Sequence, residues 1–235
     1  MALPKIDSAI FTATLPSNGK KIKYRPFLVK EEKILMIAQE SQEQEQIVDA
    51  IKQILNNCII TKNVDIDSWP LFDVEWMFVK LRAASINNVV KLKYKDKEDE
   101  KVYDFEIDLN EIEMTTDPDH TNPVMLTDEI GMTLRYPNID LITFVQQNVD
   151  EEKQTEASFS LIKKSIENVF DKEQVYDDWS EKEIDEFLGD LSHVMLEKIQ
   201  GFFESLPKLY HKFEYENSKG NKRSIELNGI ADFFT

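Results

Sequence analysis

The most distinctive stretch of the chain is VFDKEQVYDDWSEKEIDEFLGDL, residues 169–191, which holds nine carboxylates and only two lysines. Within it, Ser180 and Glu183 have the S-x-x-E spacing of a capping box, in which two side chains satisfy backbone N–H groups at the start of a helix. Asp177 and Asp178 precede the box, near the positive end of the expected helix dipole. Apolar side chains follow at helical spacing: Ile184, Phe187, Leu188 and Leu191. The spacing predicts an amphipathic helix whose carboxylates stay in water.

The same carboxylates could instead serve calcium binding or acid–base catalysis. A calcium loop of the EF-hand type that begins at Asp171 would place Val175 where an oxygen ligand belongs and Tyr176 where glycine belongs. Catalysis by paired carboxylates needs two acids at a fixed separation in a cleft, which a linear sequence does not show. The chain also lacks the phosphate-loop, nucleophile-elbow and zinc-protease motifs. We therefore predict no catalytic residue, no cofactor-binding residue, no metal ligand and no cofactor.

Residues before this stretch alternate between strand-like and helix-like periodicity. Turn signals at Asn18-Gly19 and at residues 95–101 each lie between alternating segments, which predicts two β-hairpins. Three helices are expected between them, and Asp73 is the expected N-cap of the third. Residues 124–137 are expected to form a strand pair or a bulged strand, with Gly131 at the irregularity. In the first of these helices, Ile34, Ile37, Ala38 and Ser41 lie at helical spacing.

The chain after Pro137 has mostly helical periodicity, and residues 157–170 are expected to form one of its helices. A last hairpin is predicted around residues 218–221. The sequence therefore predicts an α+β fold, with N-terminal β-hairpins and packed helices followed by a mostly helical region that ends in a β-hairpin. We expect a mixed α+β domain over residues 1–137 and the mostly helical region over 138–235, either separate from the first or packed with it as one unit.

Composition and charge exclude several classes of protein. The 235 residues are 41% hydrophobic, and their net charge of −17 disfavours binding to nucleic acid or to an anionic membrane. The single cysteine, Cys58, excludes an internal disulfide and lies on an apolar helical stripe, so we expect a core residue in a reducing compartment. No signal peptide and no membrane span are expected.

Positive charge is concentrated near the start of the chain. Residues 1–30 carry six cations against Asp7 alone, so the rest of the chain carries −22. Such asymmetry is typical either of a docking surface or of a solvated hairpin face. The candidate partner interface consists of four cations and a terminal aromatic pair: Lys20, Lys21, Lys23, Arg25, Phe233 and Phe234.

The order of these segments resembles the T4-type bacteriophage baseplate hub subunit family. The segments that carry the resemblance are TLPSNGKKIKYRPFLVKEEKILMIAQES (14–41), IKQILNNCI (51–59), LFDVEWMFVKLRAASINNVV (71–90), LRYPNIDL (134–141), the acidic stretch extended to residue 209, and IELNGIADFF (225–234). The resemblance implies a non-enzymatic structural or chaperone-like assembly component of the central hub in a contractile tail's baseplate. Its partners would be other baseplate hub or tail proteins, with no small-molecule substrate. It would act in the host cytoplasm during assembly, with the tail baseplate of the virion as a second location.

Two other functions stay open at this point. An acidic protein-interaction module, such as a DNA mimic, would arrange its carboxylates in one continuous phosphate-like track. A carboxylate-dependent enzyme for a small molecule would gather several acids in a deep cleft. The sequence contains nothing that singles out either arrangement.

Overall fold

The computed structural model describes residues 8–41, 43–85, 88–148 and 154–228, and these form an α+β fold, as predicted. The chain divides into two compact units. Unit 1 comprises the residues up to Thr115 and those from Lys208 onward, whereas unit 2 comprises Thr116–Pro207.

The elements of unit 1 are β1 (Phe11–Thr14), β2 (Lys21–Tyr24), α1 (Val29–Ser41), α2 (Gln44–Cys58), α3 (Leu71–Ala83), β3 (Val89–Lys95), β4 (Val102–Asp108), β5 (Glu113–Thr115), β10 (Lys208–Glu216) and β11 (Lys222–Asn228). The elements of unit 2 are β6 (Val124–Met125), β7 (Gly131–Leu134), α4 (Ile139–Asn148), α5 (Gln154–Ser165), β8 (Ile166–Phe170), β9 (Val175–Tyr176), α6 (Glu181–Gly189) and α7 (His193–Glu204). Unit 1 is therefore discontinuous in sequence. The boundary predicted at residue 137 falls inside unit 2, between β7 and α4, and the domain division stays a prediction.

The first hairpin forms as predicted around Asn18-Gly19, because Gly19 has a φ of +70° that its missing side chain permits. β1 and β2 pair in antiparallel register, and Ile22 and Tyr24 of β2 are buried. Cys58 is also buried, as expected. These side chains belong to a core that includes the inner faces of α2 and α3, where Ile54, Leu55, Met77, Phe78 and Leu81 are fully buried.

The start of α3 differs from the prediction. Pro70, and not Asp73, is the residue before the first helical turn, and Asp73 is a fully buried residue of that turn. Its carboxylate accepts hydrogen bonds from the backbone N–H of Ser17, at 3.0 Å, and from the Ser17 hydroxyl. The acid therefore ties the first hairpin to α3 and does not cap the helix.

The other two hairpins of unit 1 also form as predicted. β3 pairs with β4, and β10 pairs with both β11 and β5, so residues 208–228 belong to the first unit. Their shared core is apolar: Val79, Val90, Leu92, Ile107, Leu109, Ile112 and Leu209. The tips of these two hairpins are joined by hydrogen bonds. The Tyr215 hydroxyl donates to the buried carboxylate of Asp96, and the side-chain amide of Asn217 donates to Glu98 at 2.8 Å.

Unit 2 is built on the antiparallel sheet β6-β7-β8-β9, with α6 and α7 packed on its apolar side chains. Residues 124–134 form a strand pair, as predicted, but the register irregularity lies between Thr133 and Leu134 and not at Gly131. The helix predicted for residues 157–170 was wrong in its last third, because α5 ends at Ser165. The β-branched residues Ile166 and Val169 are buried in β8, where pairing with β7 outweighs their helical spacing.

The acidic stretch forms the predicted capped helix. The Ser180 hydroxyl accepts a hydrogen bond from the N–H of Glu183, and the Glu183 carboxylate accepts one from the N–H of Ser180 at 2.8 Å. Ile184 and Leu188 are buried in the core of unit 2. Glu181, Glu183, Asp185 and Glu186 remain exposed.

Candidate interaction surface

The lysines of the first hairpin face solvent because they alternate with buried residues. Lys21 and Lys23 flank Ile22, which is fully buried, and Lys20 lies in the exposed turn. The strand that carries them is held on both sides. Lys23 pairs with Thr12 in β1, and the Lys23 carbonyl accepts the N–H of Ile60 at 2.8 Å. The three ammonium groups therefore project from a well-supported strand and turn.

Arg25, the fourth predicted cation, is directed inward. Its Nη2 lies 2.9 Å from Oε1 of Glu31, whose side chain has no exposed surface, and it donates to the carbonyl of Asn57 at 3.0 Å. Burial acts to raise the pKa of Glu31, but hydrogen bonds from Arg25 and from the N–H of Leu28 outweigh it, so that pKa is lowered. Arg25 is thus an anchor between the hairpin, α1 and the end of α2, and only 17% of its side chain is accessible.

The outward face of α1 carries apolar side chains that the sequence interpretation missed. Val29 is 81% exposed, Met36 55% and Ile37 54%. Ile37 shares its helical spacing with Ala38, yet Ala38 is buried, as are Glu31 and Leu35, whereas Ile37 faces water. The spacing of Val29 and Met36, seven residues apart, was the available signal, since it places both on one side of a helix.

Two cations share this face of α1. Lys30 and Lys33 are both exposed, and their positions fall on the same side of the helix as Val29, Met36 and Ile37. We call the set formed by Lys20, Lys21, Lys23, Val29, Met36 and Ile37 the docking face. It combines a lysine-bearing hairpin with a helix whose exposed side carries apolar side chains, two lysines and, near its C-terminal end, the exposed Glu40. Phe233 and Phe234, the other predicted interface residues, lie outside the described residues.

Negative charge is concentrated in unit 2. Its 92 residues carry 21 carboxylates against seven lysines and arginines, a net −14 of the chain's −17. Some of these acids form ion pairs, such as the contacts of Lys163 with Asp185 and Glu181. Most lie at exposed positions on α6 and in the connecting loops. The charge asymmetry in the sequence therefore corresponds to a difference between the two units.

No group of three or more potential metal ligands occurs among the described residues, and no helix among them is both long and apolar enough to span a membrane. Burial raises the pKa of the Cys58 thiol to about 11, which suppresses the nucleophilic thiolate. His120 lies in a loop, where its Nδ1 is 2.8 Å from the hydroxyl of Ser205.

Comparison with known proteins identifies the family. A family model described as T4 bacteriophage base plate protein matches residues 8–235, nearly the whole chain. No curated protein and no solved structure matches. This match supports a structural role for the protein as a component of the tail baseplate of the virion. The chain belongs to the family of T4 bacteriophage base plate proteins.

Proposed function

We propose that this protein is a non-enzymatic structural or chaperone-like assembly component of the central hub of a contractile-tail baseplate. Membership of the baseplate family supports the structural role. The single observation that carries the docking mechanism is the docking face, on which three lysines and three apolar side chains are exposed while Ile22 and Tyr24 of the hairpin are buried. Assembly in the host cytoplasm would precede incorporation into the tail.

The docking face is suited to binding because its support is rigid. Ile22 has no exposed surface, and the Arg25–Glu31 ion pair fixes the exit of the hairpin against α1. A preorganised surface loses less conformational entropy on binding than a mobile one. The backbone that carries the lysines is therefore fixed before any partner arrives, although their exposed side chains still lose rotamer freedom on binding.

The partner expected on this face is another baseplate hub or tail protein with carboxylates around an apolar centre. Exposed apolar side chains as large as Val29, Met36 and Ile37 are typical of protein interfaces when they cluster. Lys30 and Lys33 on the same side of α1, together with the lysines of the hairpin, would attract an acidic rim, which increases the association rate and fixes the orientation of the partner. Such a contact weakens as the salt concentration rises.

Co-expression with candidate baseplate proteins, followed by affinity capture, tests this assignment. Reversing charge in Lys20→Glu, Lys21→Glu and Lys23→Glu together should abolish capture. The matched control is Lys91→Glu, Lys93→Glu and Lys95→Glu, which alters three exposed lysines that alternate along β3 in the same unit. Capture that survives the first triple variant, with folding intact, would reject the docking face.

The role in the hub needs a separate measurement. Mass spectrometry of purified particles and of assembly intermediates should detect the protein in hub intermediates. Its presence in mature particles would support a retained structural component, and its loss from them would support an assembly factor. Absence from both would contradict the proposal.

A further inference from the structure

Unit 2 contains a cavity of about 290 Å³ that opens beside β9 and α6. Four aromatic side chains line it: Phe170, Tyr176, Trp179 and Phe187. Tyr176 is 42% exposed, and its neighbour Val175 is 62% exposed. Aromatic and aliphatic surface is therefore left in contact with water at this position, which is typical of a binding site and not of a closed core.

Two carboxylates, Asp171 and Glu183, also line the cavity. Asp171 accepts hydrogen bonds from the backbone N–H groups of residues 173 and 174, at 2.8 and 2.9 Å, and from the Tyr176 hydroxyl at 2.9 Å. These bonds lower the pKa of Asp171, so that it is anionic at neutral pH. The pocket thus combines a fixed negative charge with walls of aromatic side chains.

Glu183 is fixed by the capping box. Its Oε2 accepts from the Ser180 N–H at 2.8 Å and from the Ser180 hydroxyl at 2.7 Å. These two bonds lower its pKa as well. Both carboxylates that line the cavity are therefore held in place by local hydrogen bonds.

Gly131 makes room for one of the aromatic walls. A β-carbon at this position would lie 2.5 Å from Cζ of Phe170 and 2.9 Å from the sulfur of Met125. Gly131 and Phe170 are direct partners in the β7–β8 pairing. The ring of Phe170 consequently lies across the glycine, and any larger residue there would displace it.

We propose that this pocket receives an arginine side chain from a basic segment of a partner protein. Aromatic ring faces attract cations, and a guanidinium group can stack on a ring while it donates paired hydrogen bonds to a carboxylate. The volume lies at the lower end of the range of ligand sites, about 300–1,000 Å³, so it suits one long side chain better than a larger ligand. The net charge of −14 on unit 2 favours a basic segment around that arginine.

Titration with short peptides, followed by ¹⁵N NMR, tests the proposal on the full chain. The probes are acetyl-Gly-Arg-Gly-amide and its lysine and citrulline counterparts. The arginine peptide should give a saturable shift of the Trp179 indole N–H, whereas the indoles of Trp69 and Trp76 in unit 1 should not shift. The uncharged citrulline peptide should bind about tenfold more weakly or worse, since it lacks both the cation–π and the charge-assisted contacts.

Conservative variants separate the pocket from general effects of charge. Glu183→Gln keeps a residue that can complete the capping box, yet should weaken the arginine peptide about threefold to tenfold. Glu204→Gln, an exposed acid outside the pocket, is the control and should leave binding unchanged. Gly131→Ala should also weaken binding, because it displaces Phe170, whereas Gly201→Ala, with nothing within 4 Å of the new β-carbon, should not.

Several results would overturn the proposal. Equal binding of the arginine and citrulline peptides would do so, as would full affinity in Glu183→Gln when its spectrum shows an intact fold. The triple lysine variant of the docking face should bind the peptide normally, so failure of the docking face and failure of this pocket are distinguishable. If the protein self-associates, and both Glu183→Gln and the triple lysine variant abolish this self-association, then the pocket binds a second copy of the chain and a distinct partner is rejected.

Discussion

The contrast between Arg25 and its lysine neighbours shows how burial determines the role of a charge. All four cations occur within six residues, and the sequence grouped them as one surface. Arg25 donates to Glu31 and to backbone carbonyls of Pro26 and Asn57, whereas Lys20, Lys21 and Lys23 are exposed. A planar guanidinium with five donors can satisfy several acceptors in a confined space, which a single ammonium does less well.

Replacing Glu31 with glutamine should lower the free energy of unfolding by about 3 kcal/mol, because Arg25 would stay mostly buried without its counter-charge. Urea denaturation at pH 7 measures this change. Glu40→Gln, at an exposed position of the same helix, is the control and should change the value by less than about 0.5 kcal/mol. A loss no larger than that of the control would contradict the anchoring role of the ion pair.

The same variant gives a pH dependence of known sign. The folded pKa of Glu31 is lowered, so its stabilising contribution is complete above the ordinary glutamate pKa of about 4.3 and is lost as pH falls through the lowered folded value. The stability difference between the natural protein and Glu31→Gln should therefore narrow from pH 5 toward pH 3. A difference that stays constant over that range would show that Glu31 titrates with its ordinary pKa.

Cys58 should be nearly inert in the folded protein. Its pKa of about 11 leaves little thiolate at pH 8, and its side chain has no accessible surface. Labelling with a thiol-specific chromogenic disulfide should be at least about 100-fold slower in the folded chain than in urea, where the ordinary pKa of about 8.5 applies. Fast labelling of the folded protein would mean that α2 often separates from the core and exposes the Cys58 thiol to solvent.

Elements with strong local signals were predictable, and those that depend on distant partners were not. The capped helix α6 and the hairpin turn at Gly19 follow from a few adjacent residues, so the sequence was sufficient. β8 was mistaken for helix because its apolar residues also fit a period of 3.6, and only its pairing with β7 distinguishes the two. Asp73 was mistaken for a cap because its partner, Ser17, lies 56 residues away.

Substitution of Ser180 with alanine should cost about 1 kcal/mol of unfolding free energy, because the N–H of Glu183 loses its acceptor at the start of α6. Ser192→Ala at the start of α7 is a graded comparison. The Ser192 hydroxyl accepts from the N–H of Met195 at 3.4 Å, much as Ser180 accepts from Glu183 at 3.3 Å, but residue 195 has no carboxylate to complete a capping box. The second variant should cost less than the first. Chemical denaturation of both proteins, read by circular dichroism, measures the order, and the reverse order would contradict the capping-box account.

At the scale of the whole molecule, the order of the elements along the chain does not reveal that unit 1 is formed by two separate stretches of sequence. The final hairpin follows a long, mostly helical region, which led to a predicted division at residue 137. Its β10 strand instead pairs with β5, and Leu209 lies in a core with Ile107 and Leu109, so it belongs to unit 1. Only part of the docking face was predictable. The alternation of polar and apolar residues identified the exposed lysines, but the exposed apolar side chains of α1 could be assigned only once its buried side was known.

The two divisions of the chain predict different behaviour of isolated fragments. Residues 116–207 expressed alone should unfold cooperatively, because the core that joins the β7–β8 pair to α6 and α7 lies entirely within them. Residues 138–235 should lack such a transition, because Met132 and Leu134 are removed from that core and β10 loses its pairing with β5. Urea titration followed by near-ultraviolet circular dichroism, with the full chain as the reference, measures both. Cooperative unfolding of the second fragment but not the first would support the boundary at residue 137, since the helical region would then stabilise itself without β6 and β7.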